Sequence, residues 1–259
     1  MSLRPVYEMR PHEILEARER SGCAFVPVSP CWEWHSFHLP IGTDAVISES
    51  ICRLMAERVG GIYFSPLSFG LDSYRTDEDL VKWGYQKGER IFGMNMPELP
   101  LASEYCDKEE MIKSVENRLN MLRASRFPIV FIVNNHAGKG QMDTLDEVAK
   151  KWDGPSFRVD FVRTRRFLTM TDKLPRVGGH AGFSETLLAA AFRPELIDLT
   201  KVPRERLTVR HAGILHNRPE IEPEWSPAAI SLSLAQEFRE NIINNFAQYI
   251  RDTYGIPQG

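Results

Sequence analysis

The sequence predicts an α/β fold, namely a three-layer α/β/α sandwich with a largely parallel central sheet. Short apolar runs alternate along the chain with longer segments of helical periodicity, and this alternation is typical of strands joined by crossover helices. The apolar run over residues 128–133 is continuous, as expected of a parallel strand buried on both faces. With 259 residues, of which 42% are apolar, the chain can form one large core. We therefore predict a single domain over residues 1–259.

The predicted elements of the N-terminal half begin and end at recognisable signals. Pro11 opens the first helix, because the nitrogen of the first helical turn needs no hydrogen-bond acceptor. Gly60 and Gly61 end the second helix, because glycine adopts the left-handed conformation of a C-terminal cap without strain. In order, these elements are a helix over 10–20, a strand over 23–28, a helix over 44–58 and a strand over 61–64.

The C-terminal half continues the alternation after a long segment over residues 65–105. That segment is too long for an ordinary connection, so we expect it to form a lid or an oligomer contact. Asp107 and Glu110 form a capping box at the start of the next helix, with aspartate in place of the usual serine or threonine. The later elements are a helix from 107 to about 125, a strand over 128–133, a helix over 142–152, a strand over 157–162, an Ala-rich helix over 185–192 and one or two helices over 226–254.

Composition and charge exclude several classes of protein. The formal charge of −3 and the isoelectric point near 6.2 indicate no basic surface for nucleic acid or an anionic membrane. No apolar stretch reaches the roughly 18 residues of a membrane span, and the N-terminus lacks the apolar core of a signal peptide. The four cysteines form no CxxC pair, which suits a reducing compartment. We predict a cytoplasmic protein that binds a small molecule, with no nucleic-acid or membrane partner.

Side chains that can bind a metal ion are concentrated just after the first predicted strand. Glu33, His35, His38 and Asp44 lie within twelve residues of one another, and imidazole and carboxylate are the ligands of a catalytic divalent metal with an open position. Of these, we interpret His38 as a residue that orients a ligand rather than one that binds metal. The alternative interpretation of the segment is a turn that caps the following helix through Asp44 or the threonine before it.

Two later segments carry the same kinds of residue. His136 follows the predicted strand over 128–133, His180 lies in the Gly-rich segment before the Ala-rich helix, and Glu185 begins that helix. The carboxyl ends of parallel strands meet at one edge of a sheet, where ligands bind in such folds. We therefore expect these dispersed side chains to converge on one site.

The order and spacing of these motifs resemble the creatininase (creatinine amidohydrolase) family. The chain has E-x-H-x-x-H-L-P-x-x-T-D from residue 33, then N-x-H, then G-H-A-G-x-x-E-T, and the resemblance covers residues from about 5 to 200. It implies four metal ligands, with Asp44 in the position that bridges two ions, and a proton-transfer role for His180. The implied ligands are Glu33, His35, Asp44 and His136.

This sequence also departs from the family pattern. Gly138 stands where creatininase has a further ligating glutamate, two residues after the metal histidine, so we assign Glu185 as the replacement carboxylate of a second metal site. The loop after Gly70 lacks the usual histidine, and Trp34 and Ser36 replace a glutamine and a glycine. These changes predict a differently shaped pocket and a substrate other than creatinine.

The resemblance implies a metal-dependent hydrolase that acts through a metal-activated water on a non-peptide, cyclic C–N (amide) bond of a small polar molecule. His180 or Glu185 would move protons to the leaving group. The cofactor would be a divalent metal, two ions of zinc, manganese or iron per subunit, and the assembly a homo-oligomer, a hexamer built from dimers. Two alternatives remain open: a hydrolase that opens an inositol-derived cyclic diketone at a C–C bond, and a metal-stabilised binding protein without catalysis.

Overall fold

The computed structural model describes residues 3–169, 179–203, 208–215, 228 and 230–256. A single sheet of four parallel strands lies at its centre, in the order β2-β1-β3-β4. Along the chain the strands are β1 (Cys23–Pro27), β2 (Ile62–Tyr63), β3 (Ile129–Asn134) and β4 (Arg158–Arg163). Both β1 and β3 are buried along their whole length, which is why their sequences are continuously apolar.

Helices cover both faces of the sheet. They are α1 (Pro11–Arg20), α2 (Thr43–Val59), α3 (Asp77–Lys82), α4 (Lys108–Ala124), α5 (Lys139–Trp152), α6 (Phe183–Phe192), α7 (Val209–Ala212) and α8 (Leu232–Tyr254). One apolar cluster joins the sheet to α2, α6 and α8, and a second joins the opposite face to α1, α4 and α5. The prediction of a three-layer α/β/α sandwich is therefore confirmed.

The pleat of the strands divides the core between these two clusters. On β3, Phe131 faces the α2, α6 and α8 layer, whereas Val130 and Ile132 face the opposite layer, because successive side chains of a strand point to opposite faces. Phe131 stacks on Phe25 with ring centroids 5.1 Å apart and meets Phe246 of α8 edge-on at 5.5 Å. These aromatic contacts hold the longest helix against the two central strands.

Two helix ends that the sequence predicted are marked by the expected residues. Gly60 has φ 74° and ends α2 in the left-handed conformation. The Asp107 carboxylate accepts a 2.7 Å hydrogen bond from the backbone N–H of Glu110, which is one of the two hydrogen bonds of the predicted capping box. Helix α5 begins at Lys139, earlier than predicted. Part of the predicted C-terminal helical region, residues 226–227 and 229, lies outside the described residues.

The long segment over residues 65–105 has a structure of its own. It contains α3 and buries Leu80, Met94 and Met96 in a third apolar cluster, together with Val209 of α7. The segment is therefore an ordered part of the fold rather than an extended connection. None of the helices in the described ranges combines the length and apolarity needed to cross a bilayer.

Candidate metal centre

The predicted site residues meet at the carboxyl edge of the sheet. Glu33 and His35 follow β1, and His136 follows β3. Asp44 lies in the first turn of α2, and Glu185 lies in the first turn of α6. All five side chains are buried. The structure thus brings together residues that are separated by up to about 150 positions along the chain.

One group of potential ligands consists of Glu33, Asp44 and His136. Nδ1 of His136 lies 3.1 Å from Oε2 of Glu33 and 3.2 Å from Oδ2 of Asp44. The donor atoms of the three residues all lie within 4.8 Å of one another. Two carboxylates and one imidazole at this separation can converge on one divalent ion.

A second group consists of His35, Asp44 and Glu185. Nε2 of His35 lies 3.8 Å from Oδ2 of Asp44 and 3.7 Å from Oε2 of Glu185. Asp44 belongs to both groups, and its contacts with His35 and with His136 are both made by Oδ2.

His180 lies beside the second group. Its ring centroid is 4.3 Å from that of His35, and its Nδ1 lies 3.9 Å from Oε2 of Glu185. Nε2 of His180 hydrogen-bonds to the backbone carbonyl of Trp34. Because a carbonyl oxygen only accepts hydrogen bonds, the proton of the neutral ring lies on Nε2 and the lone pair on Nδ1. Glu33, His35 and His180 also form a third potential ligand group.

Several buried atoms of the cluster lack hydrogen-bond partners among the described residues. Two of them, Oε2 of Glu33 and Nε2 of His35, face each other at 4.0 Å. Burying such atoms without hydrogen bonds costs free energy, so two of them at one point indicate an additional ligand. Carboxylate oxygen and imidazole nitrogen are donors that suit zinc, manganese or iron. The residues present therefore fit a divalent metal.

Oppositely charged neighbours, rather than burial, determine the direction of the pKa shifts of Glu33 and His136. Burial opposes ionisation of Glu33, but the imidazoles of His136, His180 and His35 outweigh burial and hold the pKa of Glu33 well below its usual range. Burial likewise opposes protonation of His136, but the Glu33 and Asp44 carboxylates raise its pKa well above the usual value. Glu33 is therefore ionised, as a carboxylate that binds metal must be.

Hydrogen bonds from outside the cluster orient its ligands. The Tyr105 hydroxyl donates to Oε1 of Glu33 at 2.8 Å, which leaves Oε2 directed at the cluster. The Asn135 amide donates to Oδ1 of Asp44 at 2.6 Å. Nδ1 of His35 lies 2.9 Å from the backbone carbonyl of Glu33, so its Nε2 faces the carboxylates. Such contacts set the orientation and basicity of metal ligands.

The segment around His38 supports the site without joining it. Nε2 of His38 lies 2.9 Å from the hydroxyl of Thr186, the neighbour of Glu185 in α6. Among the described residues, His38 belongs to none of the potential ligand groups, and its role in orienting a ligand stays a prediction. Helix α2 has no side-chain cap at its start, so the alternative interpretation of this segment as a capping turn is wrong.

Gly138 lies where the structure leaves no space for a side chain. A Cβ atom there would come within 2.5 Å of both Nε2 of His136 and the backbone carbonyl of Leu71. Such separations are far below van der Waals contact, so a glutamate at this position requires the His136 loop to move. The carboxylate nearest to His35 is instead Glu185, whose Oε2 also accepts a 2.7 Å hydrogen bond from the Ala181 N–H.

A cavity of about 250 Å³ opens over the cluster. Besides the potential ligands, its lining includes Asp72, Arg75, Met94, Lys139 and Leu215. Asp72 and Arg75 pair with each other at 2.8 Å, so one polar pair and two apolar side chains form part of the wall. The cavity suits a small polar molecule with an apolar edge.

Solved creatininase structures share this architecture over nearly the whole chain. A creatinine amidohydrolase (creatininase) structure matches with a TM-score of 0.64 at 19% sequence identity, covering 97% of both chains. A manganese creatininase matches with a TM-score of 0.65 at 17% identity, covering 97% of this chain and 98% of that chain. The chain has the creatininase fold. The resemblance predicted from the motifs is thus confirmed for the fold.

Other creatininase structures with this fold are described as ligand and metal forms. A glutamate-to-glutamine mutant complexed with creatine matches with a TM-score of 0.64 at 18% identity, covering 95% of this chain and 97% of that chain. A further mutant is described as a Zn-Zn type. No family model and no curated protein matches the chain. At these identities the likeness shows the creatininase fold, and the activity must be argued from the site.

Proposed function

We propose that this creatininase-fold protein is a metal-dependent hydrolase that cleaves a non-peptide amide C–N bond, in a ring, of a small polar molecule. The observation that carries the proposal is the pair of potential ligand groups that share Asp44 at the base of a small cavity. In an α/β fold, buried acids and histidines at the carboxyl edge of the sheet are the expected form of an active site.

The first group would hold one divalent ion and the second group another, with Asp44 in contact with both. Zinc, manganese and iron fit the donor set, and solved proteins of this fold include manganese and Zn-Zn forms. When bound, such ions supply a water of lowered pKa and polarise the carbonyl of the substrate.

His180 is the residue that we propose for proton transfer. Because its Nε2 is engaged by the Trp34 carbonyl, Nδ1 is the atom that can take a proton from the attacking water and deliver it to the leaving nitrogen. Burial and the neighbouring His35 lower the pKa of His180. A neutral imidazole is the form that a general base needs.

Glu185 contributes a carboxylate to the second group. Oε2 of Glu185 is held by the backbone N–H of Ala181, a residue with φ 50° in the left-handed region. Non-glycine residues adopt that region at a cost, which the surrounding structure must offset. The local backbone therefore directs Glu185 toward His35 and His180.

The substrate that we propose is not creatinine. Gly138 replaces the further ligating glutamate, and the structure has no space for a side chain at that position. The loop after Gly70 also lacks the histidine that the resemblance leads one to expect. A missing polar partner can lower discrimination for a substrate by orders of magnitude.

A metal-reconstituted activity panel tests the proposal. The protein loaded with zinc or manganese would be assayed with creatinine, formamidopyrimidines, small lactams and cyclic polyol ketones. We expect hydrolysis of an amide or formamide that is abolished by a chelator, and by Asp44→Asn. Turnover of the ketones alone would support the alternative C–C hydrolase, whereas metal uptake without any turnover would support the non-catalytic alternative. Efficient creatinine hydrolysis would contradict the proposed substrate.

Assembly, domain organisation and location stay predictions. We propose a homo-oligomer, a hexamer by analogy with the family, formed by single-domain subunits in the cytoplasm. Sedimentation velocity at micromolar concentration tests the assembly. A stable monomer under these conditions would contradict it.

A further inference from the structure

A second cavity adjoins the one over the metal cluster. Its volume is about 1030 Å³, and both cavities are lined by His136, Ala137 and Lys139. The two cavities are therefore neighbours, with these three residues in their common wall.

The wall of the second cavity is basic. The cationic residues that line it are Lys139, Arg163, Arg165 and Arg166, and the acidic residues are Asp143 and Asp146. Each of these two acids pairs with a lysine on its own helix, Asp143 with Lys139 and Asp146 with Lys150. The acids of the wall are thus neutralised within α5.

The arginines on the facing wall are less completely paired. Arg166 lies 3.5 Å from the carboxylate of Asp160. Arg163 makes a 3.6 Å contact with the sulfur of Met142 and has no carboxylate partner among the described residues. Nη2 of Arg165 lies 3.5 Å from Oε1 of Glu185, while its Nε and Nη2 make no hydrogen bond within the described ranges.

The turn that carries these arginines is tied to the metal cluster. Arg163 ends β4, and Arg165 lies in the 3-10 turn Thr164–Phe167 that follows. The Thr164 hydroxyl donates to the side-chain oxygen of Asn135, and the same Asn135 donates to Asp44. These hydrogen bonds therefore hold the backbone turn that carries Arg165 beside Asp44.

We infer that the second cavity binds an oxyanion group, a carboxylate or a phosphate, of the substrate. Guanidinium groups bind both oxyanions with two parallel hydrogen bonds, and they stay charged at every physiological pH. Arg163 and Arg165 supply positive charge that the described residues leave only partly compensated. The assignment of this anion as part of the substrate rests on the proposed function, whereas the anion site itself does not.

Anion binding can be measured without turnover. Protein treated with a chelator would be titrated calorimetrically with inorganic phosphate and, separately, with propionate. We expect saturable binding of at least one anion, weakened about tenfold or more by Arg163→Gln and by Arg165→Gln, because each removes charge-assisted hydrogen bonds. Arg158→Gln is the matched control, since Arg158 begins the same strand and pairs with Asp153 outside the cavity.

The outcomes separate the two proposals. Binding of phosphate alone would assign a phosphate, and binding of propionate alone a carboxylate. The inference is overturned if neither anion binds, or if Arg163→Gln binds as tightly as the unaltered protein. Arg163 is exposed, so this variant should fold even where Arg165→Gln does not. A protein that binds anions but hydrolyses nothing would leave the anion site intact and contradict the proposed function.

Discussion

At the residue scale, the sequence predicted the potential ligands but not the residues that orient them. Glu33, His35 and His136 follow strands whose apolar sequences are easy to recognise, and parallel topology brings their ends together. Tyr105 and Asn135 contact the ligands across 72 and 91 positions. Tyr105 lies in a segment without a clear sequence pattern, so nothing in the sequence indicated its contact with Glu33. Asn135 stands directly before His136 in the N-N-H sequence, and this adjacency was the one signal that it lies near the site.

Tyr105 should set the affinity of the site for metal. Tyr105→Phe removes the hydroxyl that holds Oε1 of Glu33, and we expect metal affinity to fall by about 10- to 100-fold, the usual effect of losing such a partner. Competition with a fluorescent chelator measures the metal affinity of each variant. Tyr85→Phe is the control, because the Tyr85 hydroxyl binds Glu98 in the same segment but away from the cluster. Equal affinities of the two variants would contradict the assigned role.

Position 138 should not accommodate the glutamate that creatininase has there. We expect Gly138→Glu to displace His136 and to lower the metal content, because its Cβ would lie 2.5 Å from the His136 ring. Overpacking of this kind destabilises by about 1–3 kcal/mol. Gly154→Glu is the control, since a Cβ there meets nothing within 4 Å. Elemental analysis showing more metal in Gly138→Glu than in the unaltered protein would overturn this account of the loop.

At the element scale, local signals predicted where helices and strands lie, but not what the segment over 65–105 contains. Strands β1 and β3 and helices α2 and α4 carry continuous apolar runs or caps, which are local properties. Helix α3 has only six residues, and its Leu80 is buried by residues such as Val209, which lies far away in the sequence. Tertiary contacts decide the structure of such short elements.

The N-terminal cap of α4 makes a contribution to stability that can be measured. Asp107→Ala removes the acceptor of the Glu110 N–H, and the loss of such a cap costs about 1 kcal/mol of stability. Urea unfolding should show a lower midpoint with an unchanged slope. Lys113→Ala, on the exposed side of the same helix, should change stability by less than about 0.5 kcal/mol. An effect of Asp107→Ala no larger than that of Lys113→Ala would contradict the capping role.

At the scale of the whole molecule, the parallel topology explains why one chain can assemble this site. Strands β1 and β3 are neighbours in the sheet, so the segments that follow them open at the same edge. Helices α2 and α6 pack on the same face, and each presents a carboxylate in its first turn, Asp44 and Glu185. The fold thus places acids from one layer opposite histidines from the strand ends.

The most direct test of the central claim is an anomalous difference map from crystals saturated with manganese. We predict two peaks in each subunit, both within about 2.3 Å of the Asp44 carboxylate, which is an ordinary oxygen–metal bond length. One peak should lie beside Glu33 and His136, the other beside His35 and Glu185. A single peak after saturation, or two peaks that do not share Asp44, would contradict the account.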